Sequence, residues 1–168
     1  MYEERFLLRA IEISETALTT PGTEPFGAVV VKDGQIIGEG INRSVANHDP
    51  TSHGETEAIR DAARRLGSVD LRGSELYSSC EPCPLCVAAM MIAGIGALYY
   101  AADMGRAGEA LGQLPESARF PIDVDLLRAE AGLPAAARRM PCAQHHDGAA
   151  SSVLTRWAAQ ARNRAERS

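Results

Sequence analysis

The sequence predicts an α/β fold, a layered sandwich built around one mixed β-sheet. Apolar runs that suit strands alternate along the chain with longer apolar or amphipathic runs that suit helices. After the first helix the order is strand, strand, helix, strand, helix, strand, and helical crossovers favour parallel pairing. The opening hairpin adds an antiparallel pair, so the sheet is expected to be mixed.

The first half of the chain begins with an amphipathic helix. Apolar residues at helical spacing predict it over residues 4–18, and Pro21-Gly22 ends it. A buried strand at 27–32 and its partner at 35–40 flank Asp33-Gly34, a pair typical of a tight hairpin turn. The polar stretch from Asn42 to Ser52 is predicted to be a loop.

The second half alternates helices with short strands. Gly67 suits the C-terminal cap of one helix, and Pro82 and Pro84 suit the start of the next. No internal repeat and no linker marks a second domain, so residues 1–168 are expected to form one. The predicted elements are helices at 53–66 and 85–95, strands at 75–78 and 96–101, and, beyond residue 104, helices at 106–112, 123–131 and about 152–165.

The composition is that of a compact globular protein. Of 168 residues, 45% are hydrophobic and 23% are charged, close to the averages for such proteins. The first residues lack the basic and unbroken apolar regions of a secretory signal, and no window approaches the ~18 apolar residues of a membrane helix. We therefore expect a cytoplasmic protein with no membrane partner. The net charge of -5 argues against a general affinity for nucleic acid.

Two short motifs carry the predicted chemistry. His53-Gly54-Glu55 is followed, after residues 56–81, by Pro82-Cys83-Pro84-Leu85-Cys86, and together they match the H-x-E and P-C-x-x-C pattern of zinc deaminases. A catalytic zinc takes three protein ligands and keeps one position for water, and His53, Cys83 and Cys86 supply those ligands. The metal lowers the pKa of its water to about 7, which makes hydroxide available at neutral pH.

Glu55 is predicted to be a proton shuttle and not a ligand. Residues two apart in a helix point to nearly opposite sides, so His53 and Glu55 reach one water only where the metal lies over the helix N-terminus. Glu55 then accepts the water proton and passes it to a ring nitrogen, as zinc-bound hydroxide attacks the carbon that carries the amino group. It finally helps to protonate the departing ammonia.

Two other readings of these cysteines remain open at this stage. Cys80 with Cys83, Cys86 and His53 has the composition of a closed structural zinc site, which would make the chain a binding module. Cys83 and Cys86 alone form a C-x-x-C pair that suits a redox dithiol. Neither reading gives Glu55 a role, and an open catalytic site is therefore favoured.

The chain resembles the cytidine deaminase superfamily, in the branch with bacterial guanine deaminases, cytosine deaminases and tRNA adenosine deaminases. The likeness covers about residues 20–110. The resemblance implies a zinc cofactor, a three-layer α/β/α sandwich with about five strands, and a homodimer. It also implies that Asn42 hydrogen-bonds the substrate, that Phe26 packs beside the base, and that the Gly54 backbone contributes to the pocket. The likeness is densest in residues 25–30, Asn42, residues 48–55 and residues 79–86.

A free nucleobase or a close analogue is the expected substrate. Segments at 58–62, 76–84 and 100–102 resemble guanine deaminases. Ile92 and the acid-free run 110–114, flanked by Glu109 and Glu116, differ from them and predict a more apolar pocket. Gly54 is similar to the glycine of fungal cytosine deaminase. Guanine, cytosine and s-triazine bases are therefore the candidates.

Other functions and sites were weighed beside this one. Residues 42–53 also resemble tRNA adenosine deaminases, so editing of tRNA is the alternative activity. The C-terminal helix is a candidate for packing on a partner subunit, as in related guanine deaminases. His145 and His146, with Cys142 nearby, are interpreted as a loop and not as a second metal site.

Overall fold

The computed structural model describes residues 1–119 and 122–166. Its elements alternate along the chain much as the sequence predicts. The four strands are β1 (Glu24–Lys32), β2 (Gln35–Asn42), β3 (Ser74–Cys80) and β4 (Ala97–Ala102). The α-helices are α1 (Glu4–Glu15), α2 (Ser44–Asn47), α3 (Gly54–Leu66), α4 (Pro84–Ala93), α5 (Met104–Leu111), α6 (Val124–Ala131) and α7 (Asp147–Ala165).

The sheet has the strand order β2-β1-β3-β4. β1 pairs antiparallel with both β2 and β3, whereas β3 and β4 run parallel, which confirms a mixed sheet. Within the described residues the sheet has four strands, so the expected count of about five is wrong. After β4 the chain enters α5 and then residues 112–118, which contain Pro115 and no β-branched residue, a composition that disfavours a further strand.

The hairpin between β1 and β2 turns where the sequence predicts. Asp33 and Gly34 have φ values of 51° and 72°. Two successive residues with positive φ are the requirement of a type I′ turn, whose twist matches that of the flanking strands. The turn sets the register beside it, where Lys32 lies opposite Gln35. Two register shifts further along, between Val30 and Val31 and between Glu24 and Gly27, bring Glu24 opposite Asn42.

Alternating residues of β1 serve two separate hydrophobic clusters. Ala28 and Val30 point to one face of the sheet, where they pack with Ala58 of α3 and Met90 of α4. Side chains on the other face, Val29 and Val31 among them, pack with Phe6 and Ile13 of α1 and with Tyr77. Helices therefore cover both faces, in the three-layer arrangement that the resemblance implies.

The helix ends fit the local sequence. Gly67 and Gly94 adopt φ values of 62° and 81° immediately after α3 and α4, which ends both helices with left-handed residues. Part of the segment 42–52, which the sequence predicts to be a loop, has regular secondary structure. β2 extends to Asn42, and α2 begins at Ser44. Asn42 Oδ1 accepts hydrogen bonds from the backbone N–H and the hydroxyl of Ser44, and these bonds support the start of α2.

The chain divides into two compact units, Met1–Leu127 and Arg128–Ser168. The first contains the sheet and both hydrophobic clusters. The second contains α7, where no described residue is buried. Among the helices of residues 1–119 and 122–166, none is both long enough and apolar enough to cross a membrane.

Candidate active site

The two sequence motifs lie at the starts of neighbouring helices. His53 is the N-cap of α3 and Cys83 is the N-cap of α4, both with extended backbone, and Cys86 follows in the first turn of α4. Pro84 occupies the first turn of α4, where its missing N–H breaks no helical bond. The N-terminus of a helix carries a partial positive charge that favours thiolates. The position of the two cysteines at the start of α4 therefore favours metal binding by both.

The three predicted ligands converge on one point. His53 Nδ1 lies 3.5 Å from the Sγ atoms of both Cys83 and Cys86. The two sulfurs are 3.7 Å apart. Among the described residues, these three side chains form the one group of histidine, cysteine and acidic residues close enough to share a metal ion.

This triangle has the dimensions that zinc requires. Bond lengths of about 2.3 Å to sulfur and about 2.0–2.1 Å to nitrogen, at tetrahedral angles, put two sulfur ligands roughly 3.8 Å apart and sulfur and nitrogen roughly 3.5 Å apart. The observed 3.7 Å and 3.5 Å agree with these values. The ligand set of one imidazole and two thiols is also a known catalytic zinc set, so the residues fit the ion.

Charge favours a bound cation at this point. The hydrogen-bonding contact between the Cys83 and Cys86 sulfurs, together with His53, lowers the pKa of Cys83 to about 4, so that Cys83 is a thiolate at neutral pH. The hydrogen-bonding contact with Cys83 and burial raise the pKa of Cys86. Cys86 therefore keeps its proton beside the Cys83 thiolate. Binding of a divalent metal releases such a proton, because the ligand is the thiolate.

Glu55 lies beside the ligands in a buried position. The residue is 5% exposed, and its carboxylate accepts hydrogen bonds from Ser78 Oγ at 3.1 Å and from Cys86 Sγ at 3.3 Å. Burial raises the pKa of this carboxyl group. A carboxyl group held in place next to the metal ligands can take up and release a proton there.

Cys80 stands apart from the ligand group. It is buried near the cavity, and burial raises the pKa of its thiol to about 11. Its Sγ contacts the backbone carbonyl of Asp103 at 3.9 Å. Cys80 is not a member of the three-residue ligand group, and the geometry therefore disfavours a closed zinc site with four protein ligands.

A cavity of about 390 Å³ opens over these residues. Phe26, Asn42, His53 and Glu55 are among the lining residues that we call the inner wall, and the lining residues from 104 onward are called the outer wall. The outer wall is more acidic than the sequence suggests, since Glu116, Asp123 and Asp125 all line the cavity. Asp123 and Asp125 lie outside the run 110–114 on which the expectation of a more apolar pocket rests, and that expectation stays a prediction.

The sequence analysis missed Asp123, Asp125 and Arg119 as cavity residues. They follow the last predicted strand at a distance, in a region with no strong hydrophobic periodicity. No motif in this region identifies them, and only their place in the fold reveals them. Glu109, which did attract notice, pairs instead with Arg106 at 3.3 Å and does not line the cavity.

The three predicted substrate-binding residues occupy different positions. Asn42 is 3% exposed, and because Ser44 holds its Oδ1, its Nδ2 is the end left for a ligand in the cavity. Phe26 lines the same cavity. Gly54 is buried and is not a lining residue; a Cβ there would lie 2.3 Å from the Phe26 carbonyl oxygen. Gly54 thus allows α3 to approach β1 closely.

The fold and the ligand set define a zinc-dependent deaminase, and comparison with known proteins agrees. Residues 1–102 match the model of the cytidine and deoxycytidylate deaminase zinc-binding region. The chain belongs to this family.

Guanine deaminases are among its most similar relatives. The enzyme from Bacillus subtilis (strain 168) is 46% identical over 110 residues, which are 66% of this chain and 70% of that protein. The solved structure of Bacillus subtilis guanine deaminase superposes with a TM-score of 0.79 at 38% identity, covering 94% of both chains. The tRNA-specific adenosine deaminase of Haemophilus influenzae is 36% identical over 108 residues, 64% of this chain and 62% of that protein.

Proposed function

We propose that this enzyme is an aminohydrolase of a free nucleobase, with guanine as its preferred substrate. The observation that carries the proposal is the joint placement of His53, Cys83, Cys86 and Glu55, of which His53, Cys83 and Glu55 line one cavity. A cavity of about 390 Å³ lies near the lower end of the usual range for small-molecule sites. The similarity to guanine deaminase adds the expectation of a purine base.

His53, Cys83 and Cys86 are the residues that would hold the zinc ion. When bound, zinc acts as a Lewis acid that lowers the pKa of water and so supplies a nucleophile at neutral pH. Glu55 accepts the proton that the attacking water loses and delivers it to a ring nitrogen of the base. The same carboxylate then takes the proton of the added hydroxyl group and gives it to the leaving amine as the C–N bond breaks and the carbonyl forms, so that one water enters and one ammonia leaves. Ser78 positions the Glu55 carboxylate by its hydrogen bond.

Polar groups of both walls select the base. Asn42 Nδ2 donates a hydrogen bond to an acceptor atom of the ring, while Phe26 packs against the ring face. The acids Glu116, Asp123 and Asp125 suit a base edge that carries N–H donors, as guanine does. Cytosine offers fewer N–H donors than guanine. The same acids disfavour the phosphates of tRNA, because like charges repel.

A steady-state panel tests the substrate assignment. Ammonia release is measured from guanine, cytosine, 5-azacytosine, ammeline, adenine, guanosine and cytidine, with Glu55→Gln as the blank, and an anticodon stem-loop is assayed for inosine. We expect the highest kcat/KM with guanine. Turnover of nucleosides alone would refute the free-base proposal, and inosine formation in the stem-loop would establish tRNA editing in its place.

We also propose that residues 1–168 act as one deaminase domain that forms a homodimer in the cytoplasm. Helix α4 exposes apolar side chains, with Met91 and Ile92 76% and 87% exposed. Helix α7 likewise exposes Val153, Leu154 and Trp157, which suits the packing of its residues 152–165 on a partner subunit. Analytical ultracentrifugation tests this, with a dimer expected; a monomer at micromolar concentration would refute it.

A further inference from the structure

Arg119 of the outer wall contacts β1, which contributes Phe26 to the inner wall. Its Nε donates a hydrogen bond to Glu24 Oε2 at 2.9 Å. Its guanidinium carbon lies 5.4 Å from the centroid of the Phe26 ring, within the range of a cation–π contact. Arg119 therefore makes two contacts with the first residues of β1, one by charge and one by stacking.

These contacts lie level with the residues proposed to bind the base. Glu24 pairs with Asn42 across the β1–β2 ladder, and Phe26 itself lines the cavity. The side chains of Arg119 and Glu24 are 24% and 17% exposed, so water screens their ion pair less than a fully exposed one. Loss of this ion pair would therefore change the wall of the cavity itself.

Little else in this part of the outer wall is buried. Helix α5 has no buried residue, and residues 112–118 are all exposed. At the other end of the wall, the Met104 N–H donates to Glu81 Oε2 at 3.0 Å, which ties the start of α5 to the segment after β3. Arg119 is partly buried and follows directly on the exposed stretch, so it provides a further attachment of the described wall to β1.

We propose that Arg119 is a specificity-determining residue, which holds the outer wall against β1 so that the cavity accepts a free base and excludes a nucleoside. The inference rests on the proposed function. A ribose attached to the base needs additional volume, and the Arg119–Glu24 pair keeps the two walls from separating to provide it. The cation–π contact of the guanidinium also fixes the Phe26 ring on which the base packs.

Kinetic constants of four variants test the proposal. We expect Arg119→Ala to raise KM for the base about 10-fold with kcat changed less than about 3-fold, and to lower the base-to-nucleoside ratio of kcat/KM at least 10-fold. Glu24→Gln should act in the same direction with a smaller effect. Arg119→Lys should restore part of the ratio, because lysine keeps the charge but loses the planar stacking. Arg106→Ala is the matched control, since Arg106 is an exposed arginine of α5 paired with Glu109 and does not line the cavity.

An unchanged base-to-nucleoside ratio in Arg119→Ala would overturn the proposal. So would a fall in kcat with unchanged KM, which would place Arg119 in the chemical step. If the parent enzyme deaminates no free base, the proposed function fails and the wall contact is tested alone, by hydrogen exchange of the amides at 112–118. Faster exchange in Arg119→Ala than in Arg106→Ala supports the contact, and equal exchange refutes it.

Discussion

The Cys86 thiol donates a hydrogen bond to the Glu55 carboxylate, with Sγ and Oε2 3.3 Å apart. A proposed metal ligand and the proposed proton carrier are thus in direct contact, although 31 positions separate them in the chain. The contact arises because α3 and α4 begin beside each other on one face of the sheet, which delivers Glu55 and Cys86 to a common point.

Replacement of Glu55 by glutamine should separate chemistry from metal binding. The amide keeps the shape of the side chain and can accept from Ser78, but it cannot carry the proton. We expect Glu55→Gln to fold, to retain zinc, and to lose about 10²–10⁴-fold in kcat for ammonia release. Ser78→Ala is the companion variant, with a loss of about 10-fold or less expected from the missing hydrogen bond. Near-normal turnover by Glu55→Gln would contradict the proton-shuttle role.

The zinc content of the protein should depend on each of the three proposed ligands. His53→Ala, Cys83→Ala and Cys86→Ala each remove one of the three atoms, so we expect zinc to fall from about one per chain to a small fraction after dialysis. Cys80→Ala should retain zinc, because its sulfur contacts Asp103 and lies outside the ligand group. Elemental analysis measures the content. Loss of zinc from Cys80→Ala would instead support a site with four protein ligands.

The sequence predicts the metal ligands well because their signal is local. His53 and Cys83 belong to short motifs at helix starts, where residue type and spacing already limit the geometry. The same holds for the Asp33-Gly34 turn and for the helix end at Gly67, which depend on backbone conformation within a few residues.

The outer wall of the cavity lacks such a local signal. Arg119, Asp123 and Asp125 reach the cavity through packing between distant segments, as the Arg119–Glu24 ion pair shows. Neither hydrophobic periodicity nor a motif encodes that contact. A fifth strand was expected from family resemblance alone, and the residues after β4 in this chain do not form one in the described region.

Asn42 should contribute to base affinity through Nδ2. In Asn42→Asp the side chain keeps an oxygen for Ser44, so α2 keeps its support, but a donor to the base becomes an acceptor. We expect KM to rise at least about 10-fold, since an unpaired or repelled polar group in a buried site costs about 1–3 kcal/mol. Ser44→Ala keeps Nδ2 and serves as the control, with KM within about 3-fold of the parent. Equal KM values for Asn42→Asp and the parent would exclude a role in binding.

The Arg9–Glu39 ion pair should make stability depend on pH. Arg9 donates two hydrogen bonds to Glu39, at 2.8 and 3.1 Å, and they lower the pKa of this carboxyl group below its ordinary value of 4.5. A carboxyl group with a lowered folded-state pKa stabilises the fold above pH 4.5, and this contribution is lost as the pH falls below that value through the folded-state pKa.

Urea unfolding between pH 7 and pH 3 tests this pair. Because Arg9 is 42% exposed, water screening limits the contribution at pH 7 to about 0.5–1 kcal/mol. Glu39→Gln should lower the unfolding free energy by that amount at pH 7 and by less at pH 3. Glu12→Gln is the control, since Glu12 makes a single contact of 3.2 Å with Arg9 and is 61% exposed. A constant difference between Glu39→Gln and the parent across this range would contradict the pair's role.

Gly54 should not tolerate even the single methyl group of alanine. A Cβ at this position would meet the Phe26 carbonyl oxygen at 2.3 Å and its carbonyl carbon at 3.0 Å, and both are backbone atoms that cannot rotate away. We expect Gly54→Ala to lose about 1–3 kcal/mol of unfolding free energy, as overpacked cores do. Gly148→Ala in α7 is the matched control, because no atom lies within 4 Å of its built Cβ and alanine has the higher helix propensity. Equal stability of Gly54→Ala and the parent would mean that α3 and β1 can separate at this point.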